Sequence, residues 1–332
     1  MGNFGKTVLY FDLNEPPSFE RYFKGAYGGG TCVARAFIDK YTNFYICAHK
    51  DCFEEVPKNK IEQCIILSDD DIRLLRSGAP LKDIKSIPES IKNNADIILH
   101  HFHNLWINCE GLKAKEACWH VGYGEVTHHN REHLLLYSRA YQASLIQKHS
   151  VKIYDVLIGK PIPGFRFREK QDYICQISRH NRYFGSIEAA SWCLENKVKG
   201  IFAGPIDQDY SLLEYIDNKT TFYEGIVSNE RKFEITANAR LYTLLYDLWP
   251  VPFSLSMIEA LSLSTPVVTK NIGFTPSVIR NNHNGFIING KSDLSKAWDN
   301  ASKLKPLDIY NSSLPYSSEK MVSSFESAFN QI

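Results

Sequence analysis

The run Pro250-Val251-Pro252-Phe253-Ser254-Leu255-Ser256-Met257-Ile258-Glu259-Ala260-Leu261 places a carboxylate shortly after two prolines and two serines. Proline at or near the first turn is preset for a helix start, and Ser254 is positioned to cap it. The amides of Leu255, Ser256 and Met257 then lack intrahelical acceptors. With the helix dipole they make a site for an anion such as a phosphate. Glu259 lies about one turn further in, where it can accept hydrogen bonds from hydroxyls next to that phosphate. The plainer alternative is a capped amphipathic helix with a solvated carboxylate.

A second group, Ser178-Arg179-His180-Asn181-Arg182, follows the strand-like run Asp172–Ser178. In a parallel sheet, ligands lie at the carboxyl ends of strands. The Arg179 guanidinium can clasp a diphosphate there, with Arg182 in reach to help. Gly28-Gly29-Gly30-Thr31 stands at the mouth of a predicted helix, where Gly29 and Gly30 let backbone approach a ligand closely. The dinucleotide fingerprint is not met, because Val33 occupies its last glycine position.

Seven of the eleven histidines fall between positions 100 and 133. His101 and His103 close one predicted strand and His120 the next, just before Tyr123 and its flanking glycines, so all four can meet substrate hydroxyls. His128, His129 and His133 resemble a zinc-binding face, but no H-E-x-x-H or ligating Cys partner accompanies them, and no metal site is expected. No G-x-S-x-G elbow or G-x-x-x-x-G-K loop occurs.

Short apolar runs alternating with longer helical stretches position these groups, the pattern of parallel α/β layers. The first half predicts strands at 7–11, 44–48, 63–67, 96–100, 117–121, 134–137 and 153–158, with a helix over 31–40. Two prolines and two glycines in Gly159–Gly164 interrupt both helix and strand, which marks a linker. The second half predicts strands at 172–178, 200–203, 221–227, 239–246, 266–270 and 285–288. Its predicted helices are 186–196, 210–217, 228–237, 253–264, 276–281, 292–303 and 317–330.

At 332 residues the chain exceeds a single core. Lys plus Arg (38) nearly equals Asp plus Glu (37), so no electrostatic footprint for nucleic acid exists. The eight cysteines are scattered, without a CxxC, and mostly within apolar runs; buried free thiols and a cytoplasmic location are expected.

Taken together, these residues resemble the retaining GT-B glycosyltransferases of family 4, the group 1 type. The likeness is nearly continuous from Asp172 to Ile288 and patchy before it. Tyr223-Glu224-Gly225-Ile226-Val227-Ser228 resembles the strand and loop near the base, Ala237-Asn238-Ala239 the family's "anAd" segment, and Pro252–Leu261, Thr265–Val268 and Asn284-Gly285-Phe286 its most specific signature. Tyr27–Thr31, Asp96–His103 and Pro315–Phe329 resemble the glycine loop, the strand whose terminal His faces the sugar, and the final helix.

The resemblance implies an α/β, GT-B architecture of two Rossmann-like domains facing across a cleft. Residues 1–160 would form an acceptor-binding domain, 165–312 a nucleotide-sugar-binding domain, and 313–332 a helix crossing back to the first. It implies a glycosyltransferase that moves a sugar from a nucleotide-diphosphate donor to an acceptor hydroxyl with retention, in glycan or polysaccharide biosynthesis. The catalytic candidates are Arg179, His101, His103 and Glu259. The donor-binding candidates are Gly29, Gly30, Arg179, Arg182, Ile226, Ser254, Leu255, Ser256 and Glu259, and His120 and Tyr123 would face the acceptor. No cofactor or metal is expected beyond the nucleotide-sugar substrate. The partners implied are a nucleotide-diphosphate sugar, a glycan or glycolipid acceptor and a peripheral membrane contact, with no nucleic acid.

Two positions depart from the family. Val251 stands where the first Glu of its E-x7-E motif belongs, and Phe184 where a phosphate-binding Lys belongs. Arg182 or Lys270 is available to supply the missing charge. These departures keep open a second reading, a catalytically silent GT-B protein that binds glycan or a partner enzyme. A third reading is a Rossmann enzyme transferring hydride.

Overall fold

The computed structural model describes residues 5–13, 29–53, 56–101, 105–120, 132–136, 151–181, 183–206, 210–246 and 253–332. The chain divides into two units, Met1–Lys160 with Ser318–Ile332, and Pro161–Ser317.

The first unit holds β1 (Val8–Asp12), β2 (Phe44–His49), β3 (Cys64–Leu67), β4 (Ile97–His100), β5 (Lys115–His120), β6 (His133–Leu136) and β7 (Lys152–Asp155), ordered β3-β2-β1-β4-β5-β6-β7 with every pairing parallel. Parallel strands are covered on both faces, which explains the unbroken apolar runs: Leu9, Tyr10, Phe11, Ile97, Ile98 and Leu99 are all fully buried. The strand order reverses between β1 and β4, the position where such sheets open a ligand crevice at their carboxyl ends.

Helix Gly29–Lys40 follows β1, and Gly29 and Gly30 are its first two residues. Its Phe37 meets Phe325 edge-on at 6.0 Å and Phe329 at 5.8 Å, both from the last helix, Ser318–Gln331. Trp119 of β5 also meets Phe325, at 5.5 Å. Aromatic pairs of this kind add about 0.5–1.5 kcal/mol beyond the area they bury. They make the final helix part of the first core, although it is the last segment of the sequence.

The second unit holds β8 (Gln171–Ile177), β9 (Lys199–Ala203), β10 (Thr221–Tyr223), β11 (Ala239–Leu244), β12 (Val267–Lys270) and β13 (Gly285–Ile288), ordered β10-β9-β8-β11-β12-β13, again all parallel. Its order reverses between β8 and β11. One face packs Ile174, Leu241, Val268 and Phe286 against Ala189, Trp192 and Cys193 of helix Ser186–Asn196. At the amino ends of the strands, half-buried Lys170 donates to Ala237 O (2.6 Å), Leu263 O (3.2 Å) and Thr265 Oγ1 (2.7 Å). Burial lowers its ammonium pKa to about 7.

The structure corrects the predicted elements at several ends. The strand expected over 221–227 stops at Tyr223, because Gly225 turns into the left-handed region at φ 67°. The segment expected as a helix over 210–217 is a 3-10 helix, Tyr210–Tyr215. Two short helices, Glu89–Asn94 after Pro88 and Pro306–Asn311, were not signalled by apolar periodicity. Among the described residues, no helix is long and apolar enough to cross a membrane.

Candidate functional site

The carboxyl end of the second sheet gathers most of the candidates among the described residues. Arg179 stands two residues beyond β8, exposed. Its backbone is fixed on both sides, since Ser178 N donates to Ala203 O (3.1 Å) and His180 N to Pro205 O (2.8 Å). These bonds prolong the β8–β9 pairing past the strand ends, so the turn that carries the guanidinium is anchored to β9. Gly204 makes that approach possible. Its φ is 124°, and a Cβ there would lie 2.0 Å from Ser178 O. Gly204 N in turn donates to Gly225 O (2.7 Å), which ties down the segment holding Ile226. Ile226 is 62% exposed, with neighbouring Glu224 held by both Arg231 Nε (2.8 Å) and Nη2 (2.6 Å).

Helix Leu255–Ser262 starts beyond β11, the strand beside β8. Ser254 occupies the cap position as expected, but its hydroxyl does not cap. It lies 2.9 Å from Ser256 Oγ instead, and the two serines reach Tyr246 and Tyr242. Burial pushes the Tyr246 phenol up to about 12 and Tyr242 well above its ordinary value, so both stay protonated and need partners. The serine hydroxyls bond to these phenols and to each other, and Ser254 makes no side-chain bond to the helix amides. Tyr242 also donates to Ile177 O (2.5 Å), which joins the helix start to the end of β8.

Glu259 is mostly buried and carries an ion pair to Lys232 Nζ at 2.9 Å. Lys232 comes from helix Asn229–Asn238, and nothing in the sequence spacing linked the two. Lys270, at the end of β12, meets Glu188 Oε2 at 2.6 Å in the first turn of helix Ser186–Asn196. Phe184 packs edge-on against Tyr246 at 5.2 Å, so the position where a lysine was expected is an aromatic contact. Gly185 next to it has φ 69°, and a Cβ would lie 2.1 Å from Leu245 O, so this turn admits only glycine.

In the first unit, His100 and His101 diverge, as neighbours at a strand end do. His100 is fully buried and pairs with Glu116 Oε1 at 2.5 Å. His101 is partly exposed, with Nδ1 2.9 Å from the hydroxyl of buried Tyr10. His120 ends β5, the neighbour of β4. His103, Tyr123, Arg182 and Val251 lie outside the described residues. Among the described residues, no cluster of three or more His, Cys, Asp or Glu can hold a metal.

Two cavities in the second unit are lined by neither Arg179 nor Glu259. One of about 460 Å³ borders Asn181, Ile187, Ser191, Tyr215 and Lys291. The other, about 370 Å³, lies among Phe167, Arg240, Ser264 and Ile309 at the amino ends of the strands.

The family model for glycosyl transferases group 1 matches residues 164–308. No curated protein matches the chain in sequence. Among solved structures, the chain is similar to AviGT4, a glycosyltransferase involved in avilamycin A biosynthesis, at 16% identity and a TM-score of 0.68 over 98% of this chain and 97% of that one. It is similar to HepE of Anabaena, solved in complex with UDP and glucose, at 12% identity and a TM-score of 0.66 over 98% and 100% of the two chains. It is also similar to sucrose-phosphate synthase from Thermosynechococcus elongatus, at 12% identity and a TM-score of 0.64 over 98% and 97%. At these identities the likeness shows the fold, two Rossmann-like α/β units of the GT-B glycosyltransferase kind.

Proposed function

We propose that this protein is a glycosyltransferase that moves a sugar from a nucleotide-diphosphate donor to an acceptor hydroxyl with retention at the anomeric carbon. The observation that carries the reading is the join of β8 and β11 at the strand-order reversal. It puts an exposed guanidinium on an anchored turn and, one strand over, a helix start whose cap hydroxyl is engaged elsewhere. The family match over 164–308 supports it.

In this reading Arg179 and the amides of Leu255–Met257 bind the diphosphate and stabilise charge as the bond from the anomeric carbon to phosphate oxygen breaks. Glu259, paired with Lys232, accepts from ribose hydroxyls. The backbone at Ile226 faces the base. The acceptor oxygen attacks from the face the phosphate leaves, and the departing phosphate oxygen takes its proton, so no protein base is needed. His101, His103, His120 and Tyr123 would meet sugar or acceptor hydroxyls, and Gly29 and Gly30 the phosphate. Cations and helix amides would do the work that a metal does elsewhere, with a glycan or glycolipid as acceptor and a cytoplasmic setting.

Phe184, packed on Tyr246 where a lysine was expected, favours one competing reading, a silent protein of the same fold that binds glycan or a partner. Hydrolysis of UDP-, GDP- and ADP-linked sugars separates the two. Slow release of sugar from one donor, lost in Arg179→Ala, supports the enzyme, and no release from any donor supports the silent protein.

A further inference from the structure

Next to the exposed Arg179, buried groups form a connected set of hydrogen bonds. His180 is 1% exposed, with Nε2 2.9 Å from Ala203 O and Nδ1 2.7 Å from Ser186 Oγ. A carbonyl only accepts, so Nε2 carries a proton and donates to Ala203 O, while Nδ1 pairs with the serine hydroxyl. Ser186 Oγ accepts from Gln176 Nε2 at 2.9 Å, and the same amide donates to Phe184 O at 3.0 Å. The amide also lies 3.2 Å from Ser178 Oγ. The set runs from β8 (Gln176) to the start of helix Ser186–Asn196, back to the turn at His180, and on to the end of β9. The ring is also boxed edge-on by Phe202 at 6.3 Å and Tyr223 at 6.0 Å, and Tyr223 donates to Gly204 O at 2.7 Å.

We infer that His180 is a positioning residue: locked between Ser186 and the Ala203 carbonyl, its ring sets the turn from which Arg179 reaches the diphosphate. The inference rests on the donor site proposed above. A polar ring is a costly choice for filling this space, since a buried imidazole needs both nitrogens satisfied where a Phe would need nothing. What the imidazole adds is linkage. It joins the two segments flanking Arg179, the β8 end and the helix start, to β9 and, through Tyr223 and Gly204, to the turn that carries Ile226. One side chain therefore fixes the spacing between the cation for phosphate and the backbone proposed for the base.

The test is a double-mutant cycle on the full chain with His180→Phe, which keeps the ring packing and removes both hydrogen bonds, Arg179→Ala, and the pair together. Titration calorimetry with UDP, GDP and ADP reads affinity, and thermal melts confirm that each variant is folded at the assay temperature. For whichever nucleotide binds the wild type, His180→Phe is expected to weaken it about tenfold, and to cost little more once Arg179 is gone, because its effect passes through the guanidinium. His180→Gln keeps a donor for Ala203 O and is expected to recover part of the loss, which also serves if the Phe variant does not fold. Undiminished binding in His180→Phe overturns the inference and leaves the donor site standing. So does an equal loss with and without Arg179, which marks a general structural effect. A wild type that binds none of the three nucleotides overturns the donor site, and this inference with it.

Discussion

Arg179 and Glu259 differ in how they are held. Arg179 is exposed on a fixed turn, so its removal should cost binding and leave stability alone. Glu259 is mostly buried against Lys232, so its loss strands a cation as well. Arg179→Ala is expected to lower donor turnover at least about tenfold, the scale of one charge-assisted contact, with an unchanged melting temperature. Glu259→Ala should lower turnover comparably and also lower the melting temperature. Steady-state kinetics beside thermal melts check both, and unchanged turnover in the two variants would remove them from the site. Neither sequence spacing nor residue type announced that Lys232 and Glu188 hold Glu259 and Lys270. Those pairs join separate helices and strands and exist only in the fold.

At the scale of elements, two polar side chains, one half-buried and one buried, tie neighbours together. Lys170 satisfies the carbonyls of Ala237 and Leu263 and the Thr265 hydroxyl. Lys170→Met keeps the stem and leaves those acceptors unpaired, so it should destabilise the second unit by about 1–3 kcal/mol in urea unfolding. His133, at the start of β6, is buried with Nδ1 3.1 Å from Tyr154 OH of β7, and burial lowers its pKa below 6.5. The unfolded chain therefore binds a proton more readily than the folded one in the window below pH 6.5. The stability due to the neutral ring is complete above that pH and is lost as pH falls through it. Melting temperature should drop more steeply between pH 7 and 5.5 in the wild type than in His133→Gln, and parallel curves would exclude His133 as the source.

At the scale of the whole molecule, the second unit, Pro161–Ser317, is continuous in sequence, whereas the first needs Ser318–Ile332 to close its core. Removing that last helix exposes Phe37 and Trp119. A chain ending at residue 317 is expected to lose the calorimetric transition of the first unit and to keep that of the second. Loss of both together would mean that the two cores do not melt independently.

The sequence alone determined the alternation of strands and helices, because unbroken apolar runs of four to seven residues leave a parallel sheet few alternatives. It also marked Arg179 and the start of helix Leu255–Ser262, since prolines, glycines and strand ends leave local signatures. Tertiary structure alone decided what each side chain touches. Ser254 stands at the cap position expected of it, yet its hydroxyl bonds to buried Tyr246 and to Ser256. His180 sits in plain view beside Arg179, and only the convergence of β8, β9 and helix Ser186–Asn196 gives its two nitrogens their partners. Local rules act over a few residues along the chain, whereas hydrogen bonds form through space, between atoms that only folding brings within 3 Å or so of one another.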